Sequence, residues 1–265
     1  MKNRLFFRTP FDLHQKEALD MERHKRFLSK SESIRLHYGF EKIDETIEAD
    51  LLSMPLEHNL FEKMQEIFDG KVVNAIHGYP SENRAVSHMK CRDPYDEFNQ
   101  KEIKKAAQFS KNCPFKHVVV VGIGGSNLGT EAIHLGLSRY PKNREIYFIA
   151  NIDPRNTEDV LGHVSLKDTL FIFCSKSGGT LEIQSNLELM KELYQKMGIE
   201  AKKHFVCVTT PKSPMDDSKT FGDIFYMEDS VGGRYSVTSM IGVLPLILLA
   251  TRLRAALQPT IFALL

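Results

Sequence analysis

From residue 115 onward, short apolar runs alternate with longer amphipathic stretches. The runs contain almost no polar side chain, which is typical of strands buried on both faces of a sheet. We predict five such strands, at residues 118–121, 146–150, 170–174, 205–208 and 224–227. Helices are predicted at residues 127–138, 157–161, 180–197 and 214–220, and at 236–253, where an apolar helix would cover one sheet face. Strands joined by helices indicate βαβ units, and therefore an α/β domain with a parallel sheet and right-handed crossovers.

The first 110 residues have a different pattern, because they are rich in charged and helix-forming residues. Residues 44–54 and 58–68 are amphipathic, and the second stretch ends at Asp69-Gly70, which is a helix stop signal. We therefore predict a mostly helical segment at residues 1–110. This segment is expected to pack on the sheet domain at residues 111–253.

The first predicted strand ends in a glycine-rich turn, Gly122-Ile123-Gly124-Gly125-Ser126-Asn127. Glycines let the backbone approach a ligand closely, and the amides at a helix start attract an anion, so we predict a phosphate-type site. A dinucleotide site would need a third glycine where Asn127 stands, and an acid about twenty residues further on. The nearest acid after the second strand is Asp153, about thirty residues beyond the turn, which disfavours an NAD-dependent oxidoreductase. No Lys-Ser or Lys-Thr follows the glycines, so a P-loop is excluded.

A second polar cluster, Ser175-Lys176-Ser177-Gly178-Gly179-Thr180, follows the third predicted strand. Hydroxyls, backbone amides and a helix N-terminus together suit a phosphate monoester. The simpler interpretation is a helix N-cap with a solvated turn, since serine and threonine are common there. Two glycine-rich junctions at the same edge of one parallel sheet favour the phosphorylated ligand.

A third segment, from Asp229 to Ser239, follows the last strand and contains Gly232-Gly233-Arg234. Two glycines before an arginine let the backbone direct the guanidinium toward a ligand, where it would stabilise a developing oxyanion. The alternative is a structural arginine that pairs with a carboxylate such as Asp229.

Composition removes several classes of function. The 265-residue chain is 42% hydrophobic and 26% charged with a formal net charge of +1, so no global field favours nucleic acid or a membrane surface. The ten histidines lack tight metal-ligand spacing, and no apolar run approaches the roughly twenty residues that a bilayer requires. Four cysteines without C-x-x-C spacing favour a reduced, cytoplasmic protein. We expect no metal, no cofactor, no nucleic acid partner and no membrane segment.

Taken in order, these blocks resemble the glucose-6-phosphate isomerase family, whose domains have the sugar-isomerase (SIS) fold. The matching residues are 122–129, 151–153, 175–182 and 231–236, and residues 81–88 look like the family block that ends in R-A-V-L-H. Five modest motifs in the family's order are far more specific than any one of them. The resemblance implies a flavodoxin-like, three-layer SIS domain with a five-stranded parallel sheet.

The resemblance also implies an activity, the reversible isomerisation of glucose 6-phosphate and fructose 6-phosphate through a cis-enediolate, without metal or redox cofactor. By the same resemblance Arg234 steadies the enediolate. Lys176 acts mainly through its backbone. The residues that the resemblance implies for the phosphate are Ser175, Lys176, Ser177 and Thr180. Those that it implies for the lining of the sugar site are Gly125 and Ser126. The implied partners are a hexose 6-phosphate and a second subunit of a homodimer.

The chain departs from the family in its length. Family members carry a second half of the same type, which supplies the catalytic glutamate, a ring-opening histidine lent by the partner subunit, and a late lysine. We therefore assign no catalytic base. Residues 254–265 match nothing in the family and are interpreted as a truncation or frameshift scar. We expect this chain to be weakly active or inactive, to form the family dimer poorly, and to expose apolar surface at residues 236–253 and in the tail.

A non-catalytic SIS module that binds a phosphosugar and regulates another function is the alternative. Regulators of that kind usually carry a separate effector domain, such as a helix-turn-helix. No such pattern is seen in residues 1–110.

Overall fold

The computed structural model describes residues 8–79, 83–139 and 144–249. The chain divides into two compact units, Met1–Asp69 and Gly70–Leu265. These units are defined by compactness, and the division at residue 110, drawn from composition, stays a prediction. The tail at residues 254–265 and the last residues of the helix predicted at 236–253 lie outside the described residues.

The described part of the first unit contains three α-helices and a short antiparallel strand pair. Their bounds are α1 Met21–Arg26, β1 Leu28–Lys30, β2 Arg35–His37, α2 Glu45–Glu57 and α3 Leu60–Phe68. Helix α2 begins where Asp44 accepts hydrogen bonds from the backbone N–H groups of Thr46 and Ile47. The helices predicted at residues 44–54 and 58–68 are confirmed. The strand pair was not predicted, because each strand has three residues and is mostly exposed.

The second unit is built on a five-stranded sheet in the order β4-β3-β5-β6-β7. All neighbouring strands are parallel. The bounds are β3 His117–Gly122, β4 Glu145–Ile149, β5 Thr169–Cys174, β6 Phe205–Thr209 and β7 Asp223–Tyr226. The five predicted strands are therefore confirmed.

Helices cover both faces of this sheet and give three layers. One face carries α4 Glu97–Asn112, α5 Leu128–Gly136 and α8 Met240–Leu249, and the other carries α6 Pro154–His163 and α7 Leu181–Lys196. Because side chains alternate along a strand, the valines of β3 serve both cores: Val118 and Val120 face α8, and Val119 and Val121 face α7. This is the predicted flavodoxin-like α/β architecture.

The helix predicted at residues 214–220 is wrong, because this stretch forms turns. The carboxylate of Asp217 accepts hydrogen bonds from the Lys219 N–H (2.9 Å) and the Thr220 hydroxyl (2.8 Å). Asp216 accepts from the Lys212 N–H at 2.7 Å. Short acidic side chains that bond to nearby backbone offer the chain an alternative to a helix.

The expected exposure of the apolar helix at 236–253 is also wrong for its described part. Helix α8 buries nine of its ten residues against α4, α5 and the sheet. Residues 233–238 precede it as a 3-10 helix. Exposed apolar side chains lie instead just beyond β3, β4 and β5, at Leu128 (65% exposed), Ile152 (58%) and Leu181 (75%).

Arg144 bonds to two stretches of backbone on the α8 side of the sheet, residues 110–115 and Leu248 in α8. Its guanidinium donates hydrogen bonds to the carbonyls of Phe115 (2.9 Å), Leu248 (2.8 Å), Cys113 (2.8 Å) and Ser110 (3.3 Å). Ser110 lies in the last turn of α4, whose carbonyls have no partner within the helix. A cation there also interacts favourably with the dipole of α4.

Strand β7 is the last strand of the sheet, and α4 covers its outer edge. The carboxylate of Glu102 accepts a hydrogen bond from the backbone N–H of Tyr226 at 2.9 Å. The ammonium of Lys105 donates to the carbonyl of Ile224 at 2.5 Å and lies over the ring of Phe225. Two side chains of one helix thus occupy backbone groups that a further strand would use.

Candidate functional site

The first glycine-rich turn lies at the carboxyl end of β3. A Cβ atom on Gly122 would overlap the carbonyl of Ser126, and Gly124 has a left-handed φ of 55°, so the turn depends on both glycines. Gly125 is exposed and Ser126 is half-buried. The fully buried Asn127 donates a hydrogen bond to Glu131 at 2.9 Å. Asn127 therefore braces the start of α5 from inside, which explains an amide at this position.

The second polar cluster lies at the carboxyl end of β5, the neighbour of β3 in the sheet. From β3 the chain continues to β4 on one side of it and then to β5 on the other side, so the direction of the connections reverses at β3. Open α/β sheets bind ligands at such switch points. Ser175 is buried, and its hydroxyl lies 2.8 Å from that of Thr180. Gly178 has a φ of 65° and packs against Ser213. The two hydroxyls therefore converge beneath the turn.

The structure contradicts the simpler interpretation of this cluster as a helix start capped by a serine or threonine side chain. Thr180 occupies the N-cap position of α7, but its side chain does not cap the helix. Its hydroxyl meets Ser175 instead, and the Ser177 hydroxyl accepts from the Gly179 N–H at 3.3 Å. The first turn of α7 thus lacks a side-chain cap, which is the arrangement that suits a bound anion.

The third segment begins where β7 ends. Arg234 lies in the 3-10 helix Gly233–Thr238 and is exposed, and within the described residues no hydrogen bond or ion pair engages its guanidinium. Asp229, the alternative partner, pairs instead with Arg84 (3.2 Å) and Lys176 (3.3 Å). Pairing of Arg234 with Asp229 is therefore wrong, and the guanidinium is available to a ligand.

The structure brings the first turn and the third segment into direct contact. A Cβ atom on Gly125 would overlap the backbone of Gly233. The hydroxyl of the buried Ser236 donates to the Gly125 carbonyl at 2.8 Å, and Gly129 lies against Val237. The second cluster joins them through Lys176, whose ammonium bonds to the carbonyls of residues 229 and 231. All three predicted segments therefore meet at one edge of the sheet.

Several residues of this edge had no role in the sequence interpretation. Thr209, at the end of β6, donates its hydroxyl to the Ser175 carbonyl at 2.8 Å and lies 2.6 Å from the Ser213 hydroxyl. Ser87 donates its backbone N–H to the Ser230 carbonyl at 3.2 Å. A polar residue at the end of a buried strand was the available signal for Thr209, because the same signal marked Ser175.

His88 lies beside the candidate site, with its ring stacked on Tyr235 at 4.3 Å between centroids. Burial lowers the pKa of His88 below its ordinary 6.5, and the charge of Arg92 adds to the effect. Its Nδ1 atom is buried without a hydrogen-bond partner among the described residues. The folded state therefore favours the neutral imidazole.

We expect this histidine to make stability depend on pH. Because the unfolded chain binds the proton more tightly, the contribution of His88 is complete above its ordinary pKa and is lost as the pH falls through the lowered one. The free energy of unfolding should decline as the pH drops below about 6.5, and His88→Phe, which keeps an aromatic ring on Tyr235, should remove that part of the decline. Urea denaturation at several pH values measures it, with pH 8 as the reference. Parallel pH profiles for the two proteins would contradict the assignment.

Groups that would indicate other chemistry are not found in the described part of the chain. No three histidine, cysteine, aspartate or glutamate side chains gather there as a metal site requires. No helix among those residues combines the length and hydropathy needed to cross a bilayer.

Comparisons relate the chain to proteins of known family. The family model for phosphoglucose isomerase matches residues 106–251. The chain is 38% identical over 248 residues to the glucose-6-phosphate isomerase of Chlamydia caviae, and 36% identical over 255 residues to that of Protochlamydia amoebophila. The crystal structure of a glucose-6-phosphate isomerase from Chlamydia trachomatis superposes with a TM-score of 0.86 at 32% identity.

The chain spans about half the length of the relatives that it matches. The two alignments cover 88% and 89% of this chain but 47% of each relative. The structural superposition covers 94% of this chain and 52% of the crystallised protein. The region matched by the family model includes the first turn, the second cluster and Arg234.

Proposed function

Because the chain belongs to the phosphoglucose isomerase family, we propose that it forms the phosphate-binding and sugar-binding side of an aldose–ketose isomerase cleft. The proposed substrates are glucose 6-phosphate and fructose 6-phosphate. The observation that carries the proposal is the arrangement at the switch point of the sheet. There the starts of α5 and α7, neither with a side-chain cap, lie beside the segment of Arg234, whose guanidinium has no partner among the described residues. The relatives named above bear the name of the same enzyme.

The proposed phosphate site is the junction between β5 and α7. The hydroxyls of Ser175, Ser177 and Thr180 are hydrogen-bond donors within six residues of each other, and Ser175 and Thr180 are already in contact. The start of α7 adds backbone N–H groups and the positive end of the helix dipole. These groups suit a phosphate dianion, whose oxygens accept several hydrogen bonds at once.

The proposed sugar site is the neighbouring turn, with Gly125 and Ser126 against the ligand and Arg234 facing the reacting carbons. In the isomerisation a base removes the proton from C2 of the open-chain aldose. The electron pair of that bond forms the C1–C2 double bond, and the carbonyl oxygen takes up the negative charge of an enediolate. A guanidinium that is already unpaired and desolvated by the ligand would stabilise that charge. Transfer of the C2 hydroxyl proton to O1, together with reprotonation of C1, then gives the ketose.

The base belongs outside the residues assigned here, so we propose that turnover needs groups beyond this half of the cleft. General base catalysis is commonly worth about a hundred- to ten-thousandfold in rate. By analogy with the family, we also propose a homodimer for the whole enzyme, which this chain would form poorly, and a cytoplasmic location. The four cysteines are buried and unpaired, which supports a reducing compartment.

Calorimetric titration of the purified chain with fructose 6-phosphate tests the proposal. We expect one site per chain, with inorganic phosphate as a competitor. Thr180→Val keeps the shape of the side chain but removes one hydroxyl donor to a charged ligand, so it should weaken binding about tenfold. Thr46→Val on the exposed start of α2 is the matched control and should leave the affinity unchanged.

The outcomes separate the possible failures. Undetectable binding of both ligands would contradict the proposed function. Equal affinity for the wild type and Thr180→Val would place the phosphate elsewhere. Normal family turnover by this chain, in an assay coupling glucose 6-phosphate to NADP reduction, would show that the groups assigned to the other half are dispensable.

A further inference from the structure

The side chain of Lys176 is directed away from the turn that it belongs to. Its ammonium lies 2.5 Å from the carbonyl oxygen of Asp229 and 3.1 Å from that of Val231. A carboxylate oxygen of Asp229 lies 3.3 Å from the same nitrogen. An ammonium has three N–H donors, so these acceptors can account for all of them.

The three acceptors lie in one short segment that directly precedes Gly232-Gly233-Arg234. Glycine restricts the backbone least of all residues, so this pair cannot by itself fix where Arg234 lies. The segment must be held on either side of the glycines. After the glycines, Ser236 is bonded to Gly125. Before them, the segment is held by Lys176, by Arg84, which donates to the Asp229 carbonyl at 2.7 Å, and by the Ser87 N–H, which donates to the Ser230 carbonyl at 3.2 Å.

The hydrogen bonds to the two carbonyls hold the Lys176 ammonium more strongly than the ion pair with the Asp229 carboxylate does. The Asp229 side chain is 73% exposed, and an ion pair so open to water contributes little. Val231 is fully buried, and the Lys176 side chain is only 18% exposed, so the bond between them is shielded. Turning the ammonium toward a phosphate would leave the Val231 carbonyl without this partner, which is costly in a buried setting.

We propose that the Lys176 side chain is a positioning group that holds the arginine segment over the phosphate junction. It ties the end of β5 to the end of β7, and so sets the distance between the bound phosphate and Arg234. Its own contact with the ligand is made through the backbone. The inference rests on the proposed function for what Arg234 does, but the tie itself is a property of the protein without ligand.

Two ligands separate a positioning role from direct contact. Inorganic phosphate probes the β5–α7 junction. Arabinonate 5-phosphate, a five-carbon sugar acid phosphate, adds a carboxylate where the enediolate charge would form and therefore probes Arg234 as well. We expect Lys176→Met to weaken the sugar acid phosphate about tenfold and inorganic phosphate less than about twofold.

A double-mutant cycle with Arg234→Gln then shows whether Lys176 acts through the arginine. If it does, Lys176→Met should cost about tenfold in the wild-type background and less than about twofold once Arg234 is gone. A merely structural effect would weaken binding equally in both backgrounds, which would overturn the proposal. An equal loss of inorganic phosphate affinity would do the same, because it would identify Lys176 as a phosphate ligand.

Hydrogen exchange tests the tie without any ligand. Backbone amides of residues 231–236 should exchange faster in Lys176→Met than in the wild type. Lys191→Met is the matched control, because its ammonium pairs with Glu188 on the surface of α7 at 2.9 Å and holds no loop. Unchanged exchange at residues 231–236 would overturn the proposal. Failure of the wild type to bind either probe would instead contradict the proposed function, and the exchange result would still test the tie. Should the methionine variant not fold, Lys176→Gln keeps one amide donor, and we expect the same pattern from it with smaller losses.

Discussion

Replacing Arg144 with methionine should lower the free energy of unfolding by about 3–4 kcal/mol, the largest stability effect that we expect from a single surface-accessible side chain. Four carbonyls lose their charged donor at once, and that of Ser110 lies at the end of α4, where the helix offers no replacement. Methionine keeps most of the aliphatic bulk, so the loss reflects the hydrogen bonds rather than a cavity. Urea denaturation followed by circular dichroism measures it.

Arg155→Met is the control for this experiment. Arg155 is an exposed arginine in the first turn of α6, and no hydrogen bond or ion pair of its side chain is found among the described residues. Its replacement should change stability by less than about 0.5 kcal/mol. Losses of equal size in the two variants would mean that the four carbonyls are satisfied without Arg144.

Gly125→Ala should weaken the binding of fructose 6-phosphate by about thirtyfold or more. The added methyl group would overlap the backbone of Gly233, and a backbone cannot move aside as a flexible side chain can. Forcing one carbon into such a contact costs about 1–3 kcal/mol, and the two loops relieve it by separating. Separation moves Ser126 and Arg234 apart, so the ligand can no longer touch both. Calorimetric titration gives the affinity, and thermal unfolding gives the cost to stability.

Gly136→Ala makes the same chemical change where there is room for it. Apart from the adjoining backbone of α5, no atom of the described residues lies within 4 Å of a Cβ at Gly136, in the last turn of that helix. Alanine there should leave binding intact and stabilise the helix by up to about 1 kcal/mol. If Gly125→Ala bound the sugar phosphate as tightly as Gly136→Ala does, the contact between residues 125 and 233 would have no part in the site.

The architecture of the second unit was predictable because each of its strands is a short apolar run with no competing pattern. Buried parallel strands need such runs on both faces, and residues 118–121 and 170–174 meet that requirement without ambiguity. The failure at residues 214–220 has a local cause, since the two aspartates there bond to nearby backbone groups. The β1–β2 pair could not be predicted from the pattern of hydrophobic residues, because strands of three mostly exposed residues show no hydrophobic periodicity.

The candidate site was predictable as a set of segments but not as an arrangement. Glycine-rich turns after buried strands had to meet at one sheet edge, because parallel strands end on the same side. The fit of Gly125 against Gly233 depends on two backbones more than a hundred residues apart, and no local pattern records it. The same is true of Lys176, which the resemblance assigned to the phosphate mainly through its backbone, and whose side chain reaches another loop.

The covering of β7 by α4 has a consequence for how this protein behaves at high concentration. An open strand edge is a template on which another chain can add a strand, and sheets assembled in that way grow into aggregates. Glu102 and Lys105 bond to the Tyr226 N–H and the Ile224 carbonyl, so the template is blocked at adjoining positions of β7 by one donor and one acceptor. Self-association through strand addition is therefore disfavoured at this edge of the sheet.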